Sequence, residues 1–577
     1  MPRLPRAGHL GLGLLGVLVA CARPAPPAEP AWEWVSPRPQ GNTILAVHAR
    51  GPDAAYAVGE GGTILVYDGA AWTLVPSGTD AALTDVATDG AGTYVVGARG
   101  TVLVSGDGRR FAAQPPLEVD LAGLWANGVN RLFAVGDGGA IFRSTNGGGA
   151  WTRVHSGTTA RLHAIAGAPT TDQPLVAVGA GGVILVSEGE GASWKAAASP
   201  TARDLHRVRF LRDGTIVAVG DAGTIVRSDA GGFALVATGT TDTLLDVGGD
   251  GDVVACGLGG TVLRSRDGGK SFAREASGTT ESLYAAAAVG GRTFFAGRFG
   301  ALFEAGPGGL RDLAPGTRAL LLGLALDGDG LWIVGASGLV LHGHGPSLAP
   351  VPSGTTAGLA SVWARGDEVW IAGAQGTLLH GRGGTVARVP TGITAALAGV
   401  SSNGTTVAVA GARGTLLVSR DGGVTFQAPA APAVDFADVW VADDSAVVAV
   451  GDRGTIWRDG QATPAGTEAA LAGIWGRGAD VVVVGAAGTV LRSRDGGRTF
   501  APLATGTRAD LHGVWGTGPD DLTIVGDGGL VLRGRDGTFA VEPSGTANAL
   551  RRVRGAWAVG AGGTVLHRRA PAAQKSR

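Results

Sequence analysis

Short runs of apolar and β-branched residues alternate with glycine-rich turns along nearly the whole chain. The stretch from Leu471 to Thr507 shows the pattern best. It reads as four runs, Leu471–Trp475, Asp480–Val484, Thr489–Ser493 and Thr499–Ala504, with Gly-rich turns between them. No helical period appears, so each run predicts a short strand. The turns between them need positive φ, which glycine supplies without steric cost.

The unit repeats. Gly-x-x-Gly followed by a β-rich run has its first glycine at Gly59, Gly97, Gly136, Gly179, Gly220, Gly257, Gly297, Gly335, Gly373, Gly411, Gly451, Gly485, Gly526 and Gly560, which makes fourteen copies spaced 34 to 43 residues apart. Four strands in a unit of about forty residues predict a β-propeller blade. Fourteen blades exceed the usual range of about four to eight for one ring. The expected fold is therefore all-β, with two seven-bladed β-propellers made from fourteen four-stranded units. The expected domains are 32–305 and 310–569, joined by a linker at 306–309, with 570–577 as a tail.

The ends bear on closure. Trp32–Ser36 reads as the fourth strand of a blade, standing before an inner-strand run at Ile44–Val47. The last unit, Leu550–His567, stops after its third strand. Pairing the N-terminal strand with the blade of Leu283–Phe303, and Leu310–Ala314 with the final blade, would close each ring and hide its edges. The alternative is an interlocked pair in which Trp32–Ser36 joins the last blade.

Arg3 and Arg6 precede an apolar run, Leu10 to Ala20, too short to span a bilayer. It ends Leu18-Val19-Ala20-Cys21, which resembles the bacterial lipoprotein signal. The resemblance implies a signal peptide at 1–20, a lipidated Cys21 and a Pro-rich tether over 21–31. Ala22 after the cysteine implies sorting to the outer membrane. Glycine makes up 102 of 577 residues, but at turns rather than every third position, which excludes collagen. The formal net charge of −1 gives no reason to expect nucleic acid. The one other cysteine, Cys256, falls in a β run and reads as a small buried hydrophobe. Only three of the 47 basic residues are lysines (Lys195, Lys270 and Lys575), a skew that lowers the weight of any lone arginine.

A stapled turn of the form Ser-x-Asp-x-Gly-x-x-Phe is complete at Ser265, Asp267, Gly269, Phe272; at Ser419, Asp421, Gly423, Phe426; and at Ser493, Asp495, Gly497, Phe500. Ser144–Trp151 carries Asn146 for the acid, and Ser187–Trp194 carries Gly189. The acid is expected to accept from turn amides and the aromatic to plug the blade. The motif resembles the Asp-box, or bacterial neuraminidase repeat, which in sialidases lies away from catalysis. Together with Val-Gly-x-x-Gly-Thr it covers residues 32–567 and resembles the photosystem II assembly-factor family. That resemblance implies a lipid-anchored or lumenal propeller without catalytic activity. Twice the blade number of that family leaves its specific partner open.

Candidate chemistry is sparse. Asp85, Asp246 and Asp438 share one inner-strand position, and Asp85 with Asp246 is the best available carboxylate pair for a glycoside hydrolase or lyase. His163, His206 and His512 share another position, short of the three or four ligands that zinc needs. Tyr284 is the one tyrosine on an inner strand. Trp125, Trp363, Trp440, Trp475 and Trp515 follow the inner-strand Val, Leu or Ile, either as wedges between blades or as an aromatic rim for sugar or peptide. The residues between the two glycines of Gly-x-x-Gly face away from the stapled turns. They include Arg99, Arg298, Phe299, Arg413 and Arg453 among Asp137, Asp221, Asp452 and Asp527, a mixed-sign surface suited to a protein partner. The expectation is a non-catalytic, cofactor-free envelope lipoprotein that binds a protein partner. A glycoside hydrolase and a carbohydrate-binding module are the alternatives.

Overall fold

In the computed structural model, residues 31–569 are described apart from 169–173, 230, 250–251, 307–308 and 329. Fourteen antiparallel sheets follow one another along the chain, thirteen of four strands and one of three. They are numbered here as blades 1 to 14. The three-stranded sheet is blade 10, Leu397–Ser419, whose outer edge is reduced to one bridge between Val418 and Gln427. Pro429 and Pro432 follow that bridge and have no N–H to extend the ladder.

The inner strands form two closed circuits. Ile44–Gly51 of blade 1 packs on Leu83–Thr88 of blade 2 and on Leu283–Val289 of blade 7. Leu321–Asp327 of blade 8 likewise packs on Leu359–Arg365 of blade 9 and on Leu550–Arg554 of blade 14. Two seven-bladed rings result. Their core lies between blades rather than at one centre. Ala46, Val58 and Ile64 of blade 1, for example, meet Leu83, Val86 and Val95 of blade 2. Pleated strands present apolar side chains on both faces to neighbouring blades, so nearly every middle-strand residue is buried.

The expected scheme of closure is overturned. Trp32–Ser36 pairs with Val565–Arg568 of blade 14, with Trp32 opposite Arg568 and Trp34 opposite Leu566. Gly309–Asp312 stays in blade 7, with Ala305 opposite Leu310 and Gly306 opposite Gly309. The strands on either side of the expected linker thus pair with each other within blade 7, and 313–320 is what joins the rings. The reason is local. A strand close in sequence to its partner pairs at minimal loop-closure cost, so blade 7 completes itself. Among the described residues blade 14 has no strand of its own after its third, and the N-terminal strand fills that edge.

Each ring therefore has its own seam. In the second ring, Trp32 is 2% exposed and packs among Val525, Val531, Leu550 and Val553. Its indole N–H donates to Glu542 at 2.8 Å, and Glu542 takes both arms of Arg568. In the first ring no strand crosses among the described residues. Arg292 of blade 7 instead reaches into blade 1, donating to the Pro52 carbonyl and the Tyr67 hydroxyl, each at 2.8 Å. Glu304 holds its Nε at 2.6 Å.

The rings meet where the chain crosses between them. Asn42 accepts from Thr546 Oγ1 at 2.9 Å and from the Ala547 amide at 3.0 Å, while Asn548 donates to the Gly41 carbonyl at 2.9 Å. Buried amides bonded on all sides fix one relative placement.

Trp32→Ala should cost the second ring about 3–5 kcal/mol, as truncation of a buried tryptophan does. Hydrogen exchange should show lost protection in blades 13, 14 and 8, with blade 7 unchanged. Arg292→Ala should do the converse, loosening blades 1 and 7. Loosening of blade 7 by the Trp32 variant would contradict the observed pairing.

Candidate functional site

Every inner strand bulges after its leading apolar residue, as between Leu83 and Asp85 in blade 2. The residue two places after that leader faces the next blade at the narrowest part of the ring. In the second ring four blades have glycine there. A Cβ on Gly399 would lie 2.8 Å from the Cα of Asp438, and one on Gly473 2.8 Å from the His512 carbonyl. In four other blades a short acceptor at this position bridges to the next blade. Asp85 accepts from the Leu124 amide at 2.8 Å, Asp246 from Ala286 at 2.8 Å, Asp438 from Ile474 at 3.3 Å, and Ser361 from Val400 at 3.2 Å.

The structure brings Asp85 and Asp246 together, but through Arg207 of blade 5. Arg207 Nη1 lies 2.9 Å from Asp85 Oδ2, and Nε lies 3.1 Å from Asp246 Oδ1. Each aspartate also accepts its own following amide, Val86 at 3.0 Å and Val247 at 2.7 Å. All four carboxylate oxygens are thus engaged, and all three side chains are largely withdrawn from water. Burial pushes the Asp246 carboxyl up from its ordinary range, opposed by Arg207. Burial alone would lower the Arg207 pKa, but Asp85 and Asp246 outweigh it and hold the group firmly charged. Nothing in the sequence reading picked out Arg207. Its signal was position, since it occupies the same place in its strand as both aspartates.

The other inner-strand candidates are structural. His163 and His206 stack at 5.3 Å, and His206 bonds Asp221 at 2.8 Å while His163 meets the Leu205 carbonyl at 3.0 Å. No group of three metal-ligating side chains occurs among the described residues. Trp440 lies over Gly476, where a Cβ would come within 2.5 Å of its ring, and Trp125 lies over Gly167 in the same way. Trp363, Trp475 and Trp515 also join inter-blade clusters, so the tryptophans are wedges. Tyr284 is half-buried and bonds no carboxylate among the described residues. Cys256 is fully buried, its thiol 3.5 Å from the Leu283 carbonyl.

The Gly-x-x-Gly turns place their third residue in the left-handed region, including Arg99 (φ 57°), Phe299 (φ 52°), Arg413 (φ 57°) and Arg453 (φ 55°). An aspartate before the next inner strand holds the turn. Asp120 accepts from the Arg99 amide and Asp435 from the Arg413 amide, each at 2.7 Å. The second glycine is required because the next blade's loop presses on it; a Cβ on Gly376 would lie 1.8 Å from the Ile393 carbonyl. Arg99, Arg413 and Arg453 are exposed, as is Arg298. Phe299 is not free. It packs on Gly562 of blade 14, where a Cβ would meet its ring at 2.4 Å, and Arg298 lies 4.4 Å over the same ring. The expected anchor for a partner is thus spent at the boundary between rings.

The stapled turns behave as expected. Asp267 accepts from the Ser265 hydroxyl at 2.7 Å and from the Lys270 and Ser271 amides at 3.0 Å. Asp421 and Asp495 repeat this with Ser419 and Ser493 at 2.6 and 2.7 Å. The glycine then rests on the preceding blade, Gly423 against Trp370 and Gly497 against Val448. A further copy was missed: Asp107 bonds Ser105 and the Arg109 and Arg110 amides, one residue shorter than the motif. The Ser-Gly-Thr loops were missed as well, although their recurrence was visible. Ser353 donates to the Gly338 carbonyl at 2.7 Å and so ties its loop to the turn beside it. Cys21 lies outside the described residues.

These rings and turns have counterparts. Residues 28–304, just under half of the chain, match the family model of the photosynthesis system II assembly factor YCF48; the match takes in most of the first ring and the N-terminal strand that completes the second. The GH74 xyloglucanase from Xanthomonas campestris is 17% identical, with 93% of this chain and 99% of that chain covered at a TM-score of 0.60. PorZ, a surface component of the type-IX secretion system of Porphyromonas gingivalis, is 12% identical over 91% of this chain and 85% of its own, at a TM-score of 0.64. A structure of YCF48 bound to D1 peptide is 22% identical over 48% of this chain and 95% of that chain, with a TM-score of 0.41. No curated protein matches the chain. At such identities the likeness shows the propeller fold alone.

The stapled turns predict a pH signature. The Ser419 and Thr425 hydroxyls hold the Asp421 carboxyl down to about 2. A depressed folded-state pKa contributes stability above the unfolded value of about 3.9 and loses it as pH falls through the folded one. Asp421→Ala should therefore melt below wild type at neutral pH, with the deficit shrinking between about pH 4 and pH 2. A deficit constant across that window would argue against the staple.

Proposed function

We propose that the chain is an exported, non-catalytic lipoprotein that holds a protein partner on its Gly-x-x-Gly face. The observation that carries this reading is the pair Arg413 and Arg453. They stand exposed on equivalent turns of neighbouring blades 10 and 11, in a left-handed conformation that arginine adopts only at a cost. Arginine is favoured at the centres of protein interfaces, and a preformed turn loses little entropy on binding. The family resemblance supports the same class, since YCF48 is described as an assembly factor and has been solved with a D1 peptide.

The competing enzyme reading uses Asp85 and Asp246, and the GH74 likeness favours it at the level of fold. Those carboxylates would first have to release Arg207 and four amides. A carbohydrate surface built from the tryptophans would require indoles that instead lie between blades.

Two experiments test the proposal. Arg413→Gly with Arg453→Gly should keep or raise stability, because glycine suits φ > 0, while weakening capture of the partner from cell envelopes at least tenfold, about 1.4 kcal/mol. Undiminished capture would move the interface elsewhere. Cys21→Ser should shift the protein from the membrane to the soluble fraction; continued membrane association would remove the proposed lipid anchor.

A further inference from the structure

Among the described residues, blade 14 is the one blade whose outer strand comes from elsewhere in the chain, and its two ends differ. At one end Trp32 stands opposite Arg568, and the Arg569 amide donates to the Ala31 carbonyl at 2.8 Å. The Arg568 amide donates in turn to the Ala556 carbonyl at 2.7 Å, in the hairpin that links the first two strands of the blade. Blade 12 has the same layout around its stapled turn, where the Gly496 amide donates to the Ala479 carbonyl at 2.8 Å. Residues 31 and 569 therefore leave blade 14 side by side, at the place a stapled turn takes in blade 12.

The other end of the blade faces the first ring. Ser36 stands opposite Val565, beside the turn Gly560–Gly563. The chain then passes to blade 1, and Asn548 holds the crossing by donating to the Gly41 carbonyl at 2.9 Å. The Thr317 carbonyl presses on Gly563, the Gln40 carbonyl presses on Gly300, and Phe299 packs on Gly562. The rings thus meet at Gly-x-x-Gly turns of blades 7 and 14. The borrowed strand runs from the stapled-turn end of blade 14 to that junction.

With Cys21 as the lipid anchor proposed above, the tether from 22 to 31 has ten residues and a reach of at most about 35 Å. The strand Trp32–Ser36 is about 17 Å long. To bring the junction end to the lipid, the tether would have to double back along the whole strand, which takes up about half that reach. Pro24, Pro26, Pro27 and Pro30 oppose such a reversal. We infer that the second ring docks on the bilayer surface by its stapled-turn end at blade 14, with the first ring beyond it. This inference rests on the lipid-anchor reading. It directs the Gly-x-x-Gly turns of the second ring away from the lipid, so the partner they hold is a protein segment standing clear of the headgroups.

The test uses the full lipidated chain in vesicles of phosphatidylcholine and phosphatidylglycerol that carry an acceptor dye on a lipid headgroup. Ser337, in the Gly-x-x-Gly turn of blade 8, and Ser347, in the turn between its third and fourth strands, are both exposed, at opposite ends of one blade. Cys256 is fully buried, so Ser337→Cys or Ser347→Cys supplies the thiol that takes a donor dye. Energy transfer from Ser347→Cys should be at least about twofold stronger, because the two sites stand about one strand length apart in depth. Equal transfer, or stronger transfer from Ser337→Cys, in a chain that floats with the vesicles would overturn the docking and leave the anchor standing. A chain that fails to float with them would remove the anchor, and the docking with it.

Discussion

Seven inner strands converging on one axis leave little room, and that crowding organises both rings. At the position after the bulge two solutions recur. Glycine removes the side chain, so that adjacent backbones touch, as at Gly399 and Gly473. Alternatively, a short acceptor spans the gap and takes the amide of the next blade, as Asp246 does with Ala286 at 2.8 Å. The second solution puts carboxylates in a low-dielectric place, where a bare charge is costly. The first ring answers with Arg207 between two aspartates. The charges along the channel therefore follow from closing the ring, and they need no substrate to explain them.

The same logic separates the two rings. The first ring closes by a side chain, Arg292, and its channel charges are matched. The second closes by a borrowed strand. Polar residues at the crossing, Asn42 and Asn548, hold the rings together, and Phe299 against Gly562 adds an apolar contact. Arg413 and Arg453, exposed on the Gly-x-x-Gly face, are not used in these intramolecular tasks.

Much of this was legible in the sequence. Blade number, strand order, the stapled turns and the common register of Asp85, Asp246 and Asp438 all follow from periodicity and local turn chemistry, which act within a few residues. Closure was not legible in the same way. Trp32–Ser36 fits the outer edge of blade 7 or blade 14 equally well by pattern, and the choice depended on whether Gly309–Asp312 paired with Leu302–Gly306, a competition between near and distant partners. Arg207 was passed over because its partners come from blades 2 and 6, far away in sequence, and an arginine-rich chain gave no reason to single it out. Phe299 was misjudged for a related reason: a turn residue that looks free on one ring is covered when a second ring lies against it.

The central claim is that the channel carboxylates serve closure. A double-mutant cycle on Asp246→Ala and Arg207→Ala, read by urea unfolding, tests it most directly. If the pair is structural, each single variant loses stability and the two are coupled by about 1–3 kcal/mol. Additivity within about 0.5 kcal/mol, with Asp246→Ala as stable as wild type, would contradict the account and return that carboxylate to the list of candidates for chemistry.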